Sequence, residues 1–208
     1  MGAPPNFIAV NLAHPKGLLG RFACFLMNRH NRRMNAFARG LLGGGPGDRV
    51  LEIGFGGGPN LADVIPRVGR FTGIDRSADA VRWAASRFAT TVHSGRARFI
   101  VGDVDDLPVT DREFTKVLTI NTIYFWTSLD VAFTEIRRVL QPGGRVYIGF
   151  LPSSAMAPLG YPAHLWTLRS IQDVRDALSR ANFEGLETAH PRSDDAWVVV
   201  SARRPEIP

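Results

Sequence analysis

Apolar and polar positions follow two different periods along this chain, and the switches between them outline the elements. Short runs between turn signals predict strands over 50–53, 71–75, 97–101, 114–121, 145–150, 184–189 and 196–202, the fourth apolar throughout in the manner of a strand covered on both faces. Between them, apolar residues recur at helical spacing over 21–42, 60–68, 78–91, 129–140 and 170–181, with Pro66 a weak point near the end of the second. Residues 1–19 have no periodicity and read as an irregular arm, Pro142-Gly143-Gly144 reads as a turn, and 151–167 reads as an irregular, lid-like loop.

The order of these elements predicts the fold. Strands and helices alternate through the fifth strand, as in a parallel sheet covered by crossover helices. The last two strands are separated only by a short turn over 191–195, too short for a crossover, so they should form an antiparallel hairpin. The expectation is an α/β protein: a doubly wound, Rossmann-like, mostly parallel seven-stranded sheet with a C-terminal antiparallel hairpin and an N-terminal helical cap. Residues 1–47 make the arm and cap helix, and 48–208 make the binding domain of what is overall a single domain.

The cap helix is amphipathic. At about 100° per residue, Arg21, Arg32 and Arg39 share a line with Arg29 and Arg33 beside it, while Ala23, Met27, Met34, Ala38 and Leu41 gather opposite. The expectation is that the Met27, Met34, Ala38 and Leu41 face turns inward over a cleft. The arginine line then faces out, toward an anionic acceptor or lipid surface, or simply toward water.

Composition narrows the function classes. The chain carries +6 at neutral pH, unevenly: residues 1–104 carry +8 and the remainder −2. A basic front half suits an anionic acceptor, a membrane surface or nucleic acid, and equally a solvated arginine-rich surface. No apolar run approaches the roughly 18 residues of a membrane span, and the first residues lack signal-peptide character, so a cytoplasmic location is expected. The single cysteine, Cys24, permits no intramolecular disulfide and no cysteine-rich zinc site.

Chemistry concentrates at Val50-Leu51-Glu52-Ile53-Gly54-Phe55-Gly56-Gly57-Gly58-Pro59, a strand running into a glycine-dense turn with Pro59 suited to open a helix. A dinucleotide site wants G-x-G-x-x-G, and Pro59 occupies the last of those positions. The glycines fall instead as Gly54-x-Gly56-x-Gly58, two residues after an acid. This E/D-x-G-x-G-x-G turn resembles motif I of the class I S-adenosylmethionine-dependent methyltransferases, and the resemblance covers roughly 48–203. Asp75 ends the second strand near the spacing that places a carboxylate on a ribose, Gly102-Asp103-Val104 follows the third, and Glu135-Ile136-Arg137-Arg138-Val139-Leu140-Gln141-Pro142-Gly143-Gly144 resembles the helix-to-strand turn of small-molecule members. That last run marks the family and carries no chemistry.

The resemblance implies S-adenosylmethionine as cofactor, leaving as S-adenosylhomocysteine, and no metal. It places the methionine and ribose part at Glu52, Gly54, Phe55, Gly56 and Gly58, the ribose hydroxyls at Asp75 with Arg76 beside the adenine, and the adenine edge at Gly102, Asp103 and the Val104 amide, with Asn121 near the methionine end. The implied activity is methyl transfer to a small molecule by positioning, with at most a weak base.

Asn121-Thr122-Ile123-Tyr124 lacks the prolines of the base-directed [DN]-P-P-[YF] motif, which points away from nucleic acid. For the acceptor pocket the candidates are Tyr124, Phe125, Trp126, Tyr161 and His164, with His164 and Tyr124 the candidate bases. Acceptor identity and atom, and oligomeric state, stay open. So do a phospholipid or other anionic acceptor and, from another class, a non-catalytic S-adenosylmethionine-binding regulatory subunit.

Overall fold

The computed structural model describes residues 31–192 and 195–206. Seven strands form one sheet in the order β3-β2-β1-β4-β5-β7-β6. The strands β1 (Arg49–Ile53), β2 (Arg70–Asp75), β3 (Ala97–Val101), β4 (Phe114–Ile120) and β5 (Leu140–Phe150) pair in parallel. β7 (Val198–Arg203) lies antiparallel between β5 and β6 (Glu184–Ala189). The strand order reverses between β1 and β4, so the ends of these strands frame a crevice where open α/β sheets take ligands.

Both faces of the central strands are covered because those strands are apolar on both sides, whereas the edge strand β6 is largely exposed. Leu51, Val117, Val146 and Val200 join one core, while Val50, Leu118, Tyr147 and Val199, one residue away in each strand, join the other. The first face packs under α5 (Leu129–Val139) and α7 (Ile171–Arg180); the second lies under α1 (Arg32–Leu42) and α3 (Ala78–Arg87). Side-chain alternation puts Glu52 on the face of Val50, the α1 side. Several helix starts are written locally. Ser77 and Ser128 accept from the backbones of Ala80 and Val131, and Ser170 with Asp173 closes a capping box at α7.

Four boundaries differ from the sequence expectation, each for a physical reason. The helix expected over 60–68 is a short α2 (Leu61–Val64) with Pro59 in the preceding turn and Asn60 at the N-cap, and Pro66 tightens its end into a 3₁₀ turn, Ile65–Arg67. The helix expected over 78–91 breaks at Phe88, whose ring lies 6.1 Å from that of Phe99, before α4 (Ala89–His93). β5 begins at Leu140 rather than Arg145: the expected turn at Pro142-Gly143-Gly144 is a bulge, since pairing jumps from Phe114–Leu140 to Lys116–Arg145. Gly143 N–H donates to Arg204 O at 2.9 Å and Arg204 N–H to Gly144 O at 2.8 Å, so a residue beyond β7 stitches the bulge into the sheet. Lastly, the loop over 151–167 carries α6 (Ser153–Met156) and a 3₁₀ turn, Ala157–Leu159.

Of the helix expected over 21–42 the described residues include α1 with its N-cap Asn31; residues 1–30, with Arg21, Ala23, Met27 and Arg29, lie outside them. α1 buries Met34, Ala38 and Leu42 against the sheet, and the Met34 methyl reaches the Gly149 Cα, where a Cβ would sit 2.6 Å from it. Two positions on this helix are corrected. Leu41 is exposed and Leu42 takes the inward place. Arg39 does not join Arg32 and Arg33 in solvent, because its guanidinium turns in to Asn60 and Asp63.

Candidate functional site

At the carboxyl ends of β1 and β4 lies an open cleft. Its floor is the end of β1, with Glu52, and the turn that follows, with Gly54, Phe55, Gly56 and Pro59; its near wall is the start of α1, with Asn31 and Asn35; its far wall is Ile120, Asn121, Phe125 and Trp166. The three alternate glycines are all left-handed, at φ 70°, 50° and 66° for Gly54, Gly56 and Gly58, a conformation that glycine alone adopts freely. Their surroundings differ. A Cβ at Gly54 would strike the Thr122 methyl, and one at Gly58 would come within 2.7 Å of Leu61 and 2.8 Å of Trp83. A Cβ at Gly56 would meet nothing within 4 Å. Gly54 and Gly58 therefore let the turn pack on its own chain, whereas Gly56 leaves the open surface.

Asp75 holds this turn in place. Its carboxylate accepts from the N–H of Gly56 at 2.7 Å and of Ser77 at 2.8 Å, tying the end of β2 to the end of β1. Burial nonetheless raises its pKa above the ordinary value. Arg76 pairs with Asp103 at 3.1 Å across the loops that follow β2 and β3, and Gly102 N–H donates to Asp75 O at 3.1 Å. Val104 is buried. These residues flank the cleft on the neighbouring strand ends without lining it. The loop they share is held from below. Glu135 accepts from Leu107 N–H at 2.9 Å, and Arg138 donates to Leu107 O and Val109 O at 2.9 and 3.0 Å. The Glu135-to-Gly144 run thus braces the loop that carries Asp103.

Glu52 is the sole titratable side chain lining the cleft among the described residues. It is 2% exposed; Oε1 accepts from Asn60 Nδ2 at 2.7 Å, and Oε2 has no partner. Burial, opposed by the Asn60 hydrogen bond and the Arg39 charge, pushes its pKa up to about 7. Phe55, by contrast, sends its ring into the core against Phe99, 5.5 Å between centroids, so only its backbone serves the cleft. Asn121 takes φ 60° at the end of β4, with its N–H on Gly149 O at 2.8 Å. Asn is among the few non-glycine residues that tolerate this conformation.

The acceptor-side candidates separate sharply. Phe125 lines the cleft beside Trp166, 4.6 Å between ring centroids, and Tyr161 packs on the same indole at 4.6 Å. Trp126 is buried against Phe133 and does not reach the cleft. Tyr124 is buried too: its hydroxyl accepts from Leu151 N–H at 2.6 Å, and burial drives the phenol well above its ordinary pKa. That hydroxyl tethers the ends of β4 and β5. His164 is exposed on the lid and absent from the cleft lining. Sequence reasoning missed Trp166, Asn60, Asn31 and Asn35 as site residues. A signal for the last two was present: Asn31, Asn35 and Arg39 recur every four residues, a polar line beside the apolar line Met34, Ala38 and Leu42.

The family profile described as a methyltransferase domain matches residues 51–148. YdaC of Bacillus subtilis, described as an uncharacterized methyltransferase, is 30% identical over 137 residues, covering 65% of this chain and 74% of that protein. The chain belongs to this family. With its sheet order and glycine turn it is a class I S-adenosylmethionine-dependent methyltransferase by sequence and fold. The fatty-acid O-methyltransferase of Mycolicibacterium smegmatis is 35% identical over 100 residues, 47% of this chain, which spans 35% of that enzyme's length. Two solved structures share the fold at lower identity. Geranyl diphosphate methyltransferase in complex with GPP and sinefungin gives a TM-score of 0.68 at 18% identity over 85% of this chain and 80% of that one. The YcgJ protein from Bacillus subtilis gives 0.68 at 17% identity over 85% and 100%. Among the described residues no helix is long and apolar enough to cross a membrane, and no three His, Cys, Asp or Glu side chains are placed to share a metal.

Proposed function

We propose that this methyltransferase binds S-adenosylmethionine in the cleft and transfers its methyl group to a small-molecule acceptor. The observation that carries the reading is the buried Glu52 carboxylate at the cleft floor, one oxygen unpartnered, beside the open surface of Gly56. A buried anion that lacks a full set of partners suits a cationic group, and the cofactor's amino-acid end carries an ammonium. Glu52 and the glycine turn would hold that end, with Asp75 toward the ribose and Arg76, Gly102, Asp103 and the Val104 amide toward the adenine. When bound, the cofactor supplies an electrophilic methyl on a sulfonium.

The chain's own part is positioning. Phe125 and Trp166 present aromatic faces on the acceptor side, and among the described residues no His, Lys or Tyr lines the cleft. Holding reactants in near-attack geometry supplies roughly 7–11 kcal/mol by itself, so an acceptor that is already nucleophilic needs little more. The aromatic wall favours an acceptor with an apolar part, in keeping with the fatty-acid and geranyl diphosphate methyltransferases among the similar proteins.

Calorimetric titration with S-adenosylhomocysteine tests the assignment, with Asp75→Ala and Gly56→Val expected to weaken binding at least tenfold. Absence of binding by the wild type, or preference for NAD(P)H, refutes it. Incubation with labelled cofactor and a fractionated lysate, followed by mass analysis, then identifies the acceptor. Cofactor binding with no methylated product in any fraction supports a regulatory subunit instead.

A further inference from the structure

The polar line of α1 continues into the cofactor site through one amide. Arg39 Nη1 donates to Asn60 Oδ1 at 2.8 Å, and Asn60 Nδ2 donates to Glu52 Oε1 at 2.7 Å. Asn60 is 1% exposed and Glu52 2%. The chemistry of the ends fixes the amide's orientation: a guanidinium only donates and a carboxylate only accepts, so the amide oxygen must face Arg39 and its nitrogen Glu52. Arg39 Nη2 also pairs with Asp63 of α2 at 3.0 Å, which holds the guanidinium over Asn60.

We propose that Arg39 is a positioning residue for the cofactor: acting through Asn60, it favours the ionised form of Glu52 and fixes that carboxylate in the cleft, so that docking of α1 and binding of the cofactor's cationic end reinforce each other. The inference rests on the assignment of Glu52 to that end of the cofactor.

The electrostatics around Glu52 give the coupling its sign. Burial disfavours its charge and the Asp75 carboxylate on β2 disfavours it further; the Asn60 hydrogen bond and the Arg39 charge oppose both. With its ionisation poised at about 7, the carboxylate is partly protonated at neutral pH, and a cationic ligand selects the ionised form. Without Arg39 the donor amide loses its polarising cation and its fixed orientation. The carboxylate then gives up its charge at higher pH, and affinity for a cationic ligand disappears earlier as pH falls. Coupling is reciprocal, so whatever Arg39 adds to cofactor affinity the cofactor returns to the docking of α1.

The test is titration of the full chain with S-adenosylhomocysteine between pH 6 and 8.5, comparing wild type with Arg39→Met, Arg39→Lys and the exposed control Arg33→Met. The expected result is a loss of at least tenfold in affinity for Arg39→Met at pH 7, shrinking toward pH 8.5, partial recovery in Arg39→Lys, and no change in Arg33→Met. Hydrogen exchange over residues 32–42 should slow on ligand addition in the wild type and much less in Arg39→Met. An unchanged isotherm, or a loss of equal size at every pH, overturns the proposal, because a purely structural contact has no reason to follow the titration of Glu52. If Arg39→Met does not fold, Arg39→Lys carries the comparison, and a pH profile identical to wild type overturns it. Failure of the wild type to bind refutes the assignment of the cleft instead.

Discussion

Replacing Glu52 by Gln should change how stability depends on pH, in a direction opposite to that of most acids. The folded-state pKa lies at about 7 against an ordinary 4.5. Between those values the folded protein keeps a proton on Glu52 that the unfolded chain has released. Stability therefore falls as pH rises through this window, and it is fully present only below the unfolded value. At about 1.36 kcal/mol per unit, the ligand-free protein loses about 3 kcal/mol between pH 4.5 and 7.5, a large part of a typical domain's stability. Asp48, Glu113, Glu135 and Asp173 have lowered values and titrate below the window; Asp75 and Asp105, raised by burial, act in the same direction as Glu52 but are present in both proteins, so the difference between the two curves belongs to Glu52. Gln keeps an acceptor for Asn60 and cannot ionise. Urea unfolding followed by tryptophan fluorescence, at pH steps from 5 to 8, should give a falling curve for wild type and a flatter one for Glu52→Gln, whatever the offset between them. Saturating S-adenosylhomocysteine should lift the wild-type curve most at the high end. Parallel curves for the two proteins would show that Glu52 is not the group that titrates.

Three further outcomes follow from the geometry. Tyr124→Phe leaves Leu151 N–H without its hydroxyl acceptor and should cost about 1–3 kcal/mol in urea unfolding, with kcat within a few-fold of wild type; a hundredfold fall in kcat at unchanged cofactor affinity would restore Tyr124 as a base. Gly54→Ala forces a left-handed alanine against Thr122 and should lower the melting temperature and abolish S-adenosylhomocysteine binding together; normal binding by calorimetry refutes the turn's role. Trp166→Ala should raise the acceptor KM with cofactor affinity nearly unchanged, while His164→Ala leaves both alone, and the reverse pattern in steady-state kinetics would move the acceptor wall to the lid histidine.

What the sequence made legible was whatever depends on neighbours along the chain. The seven strands, the glycine turn, the acid at the end of β2 and the antiparallel final pair all follow from short-range periodicity and connection length. What escaped depends on partners far away. Arg39 looks like an outward arginine until Asn60, 21 residues on, turns it inward. Pro142-Gly143-Gly144 looks like a turn until Arg204 threads it into the sheet, its guanidinium donating to Arg137 O at 2.7 Å and Leu140 O at 2.6 Å. Trp126 and Trp166 are equally aromatic as letters, and only the packing of Phe133 against the first decides which one reaches the cleft. Tyr124 is the same lesson in polar form, since nothing near it in the sequence shows that its hydroxyl accepts from Leu151, 27 residues on.

The insertion of β7 between β5 and β6 sets an order on biosynthesis. As the chain emerges from the ribosome, β6 appears before β7 yet cannot pair with β5, because its place in the sheet is one strand further out. The long β5 thus keeps an open edge, with its bulge unstitched, until the segment around Arg204 is free of the exit tunnel. An unpaired edge strand is a template for wrong partners. Nascent chains stalled before that point should be the ones that chaperones hold and that aggregate when they do not, whereas substitutions confined to the cofactor turn leave this last closing step untouched.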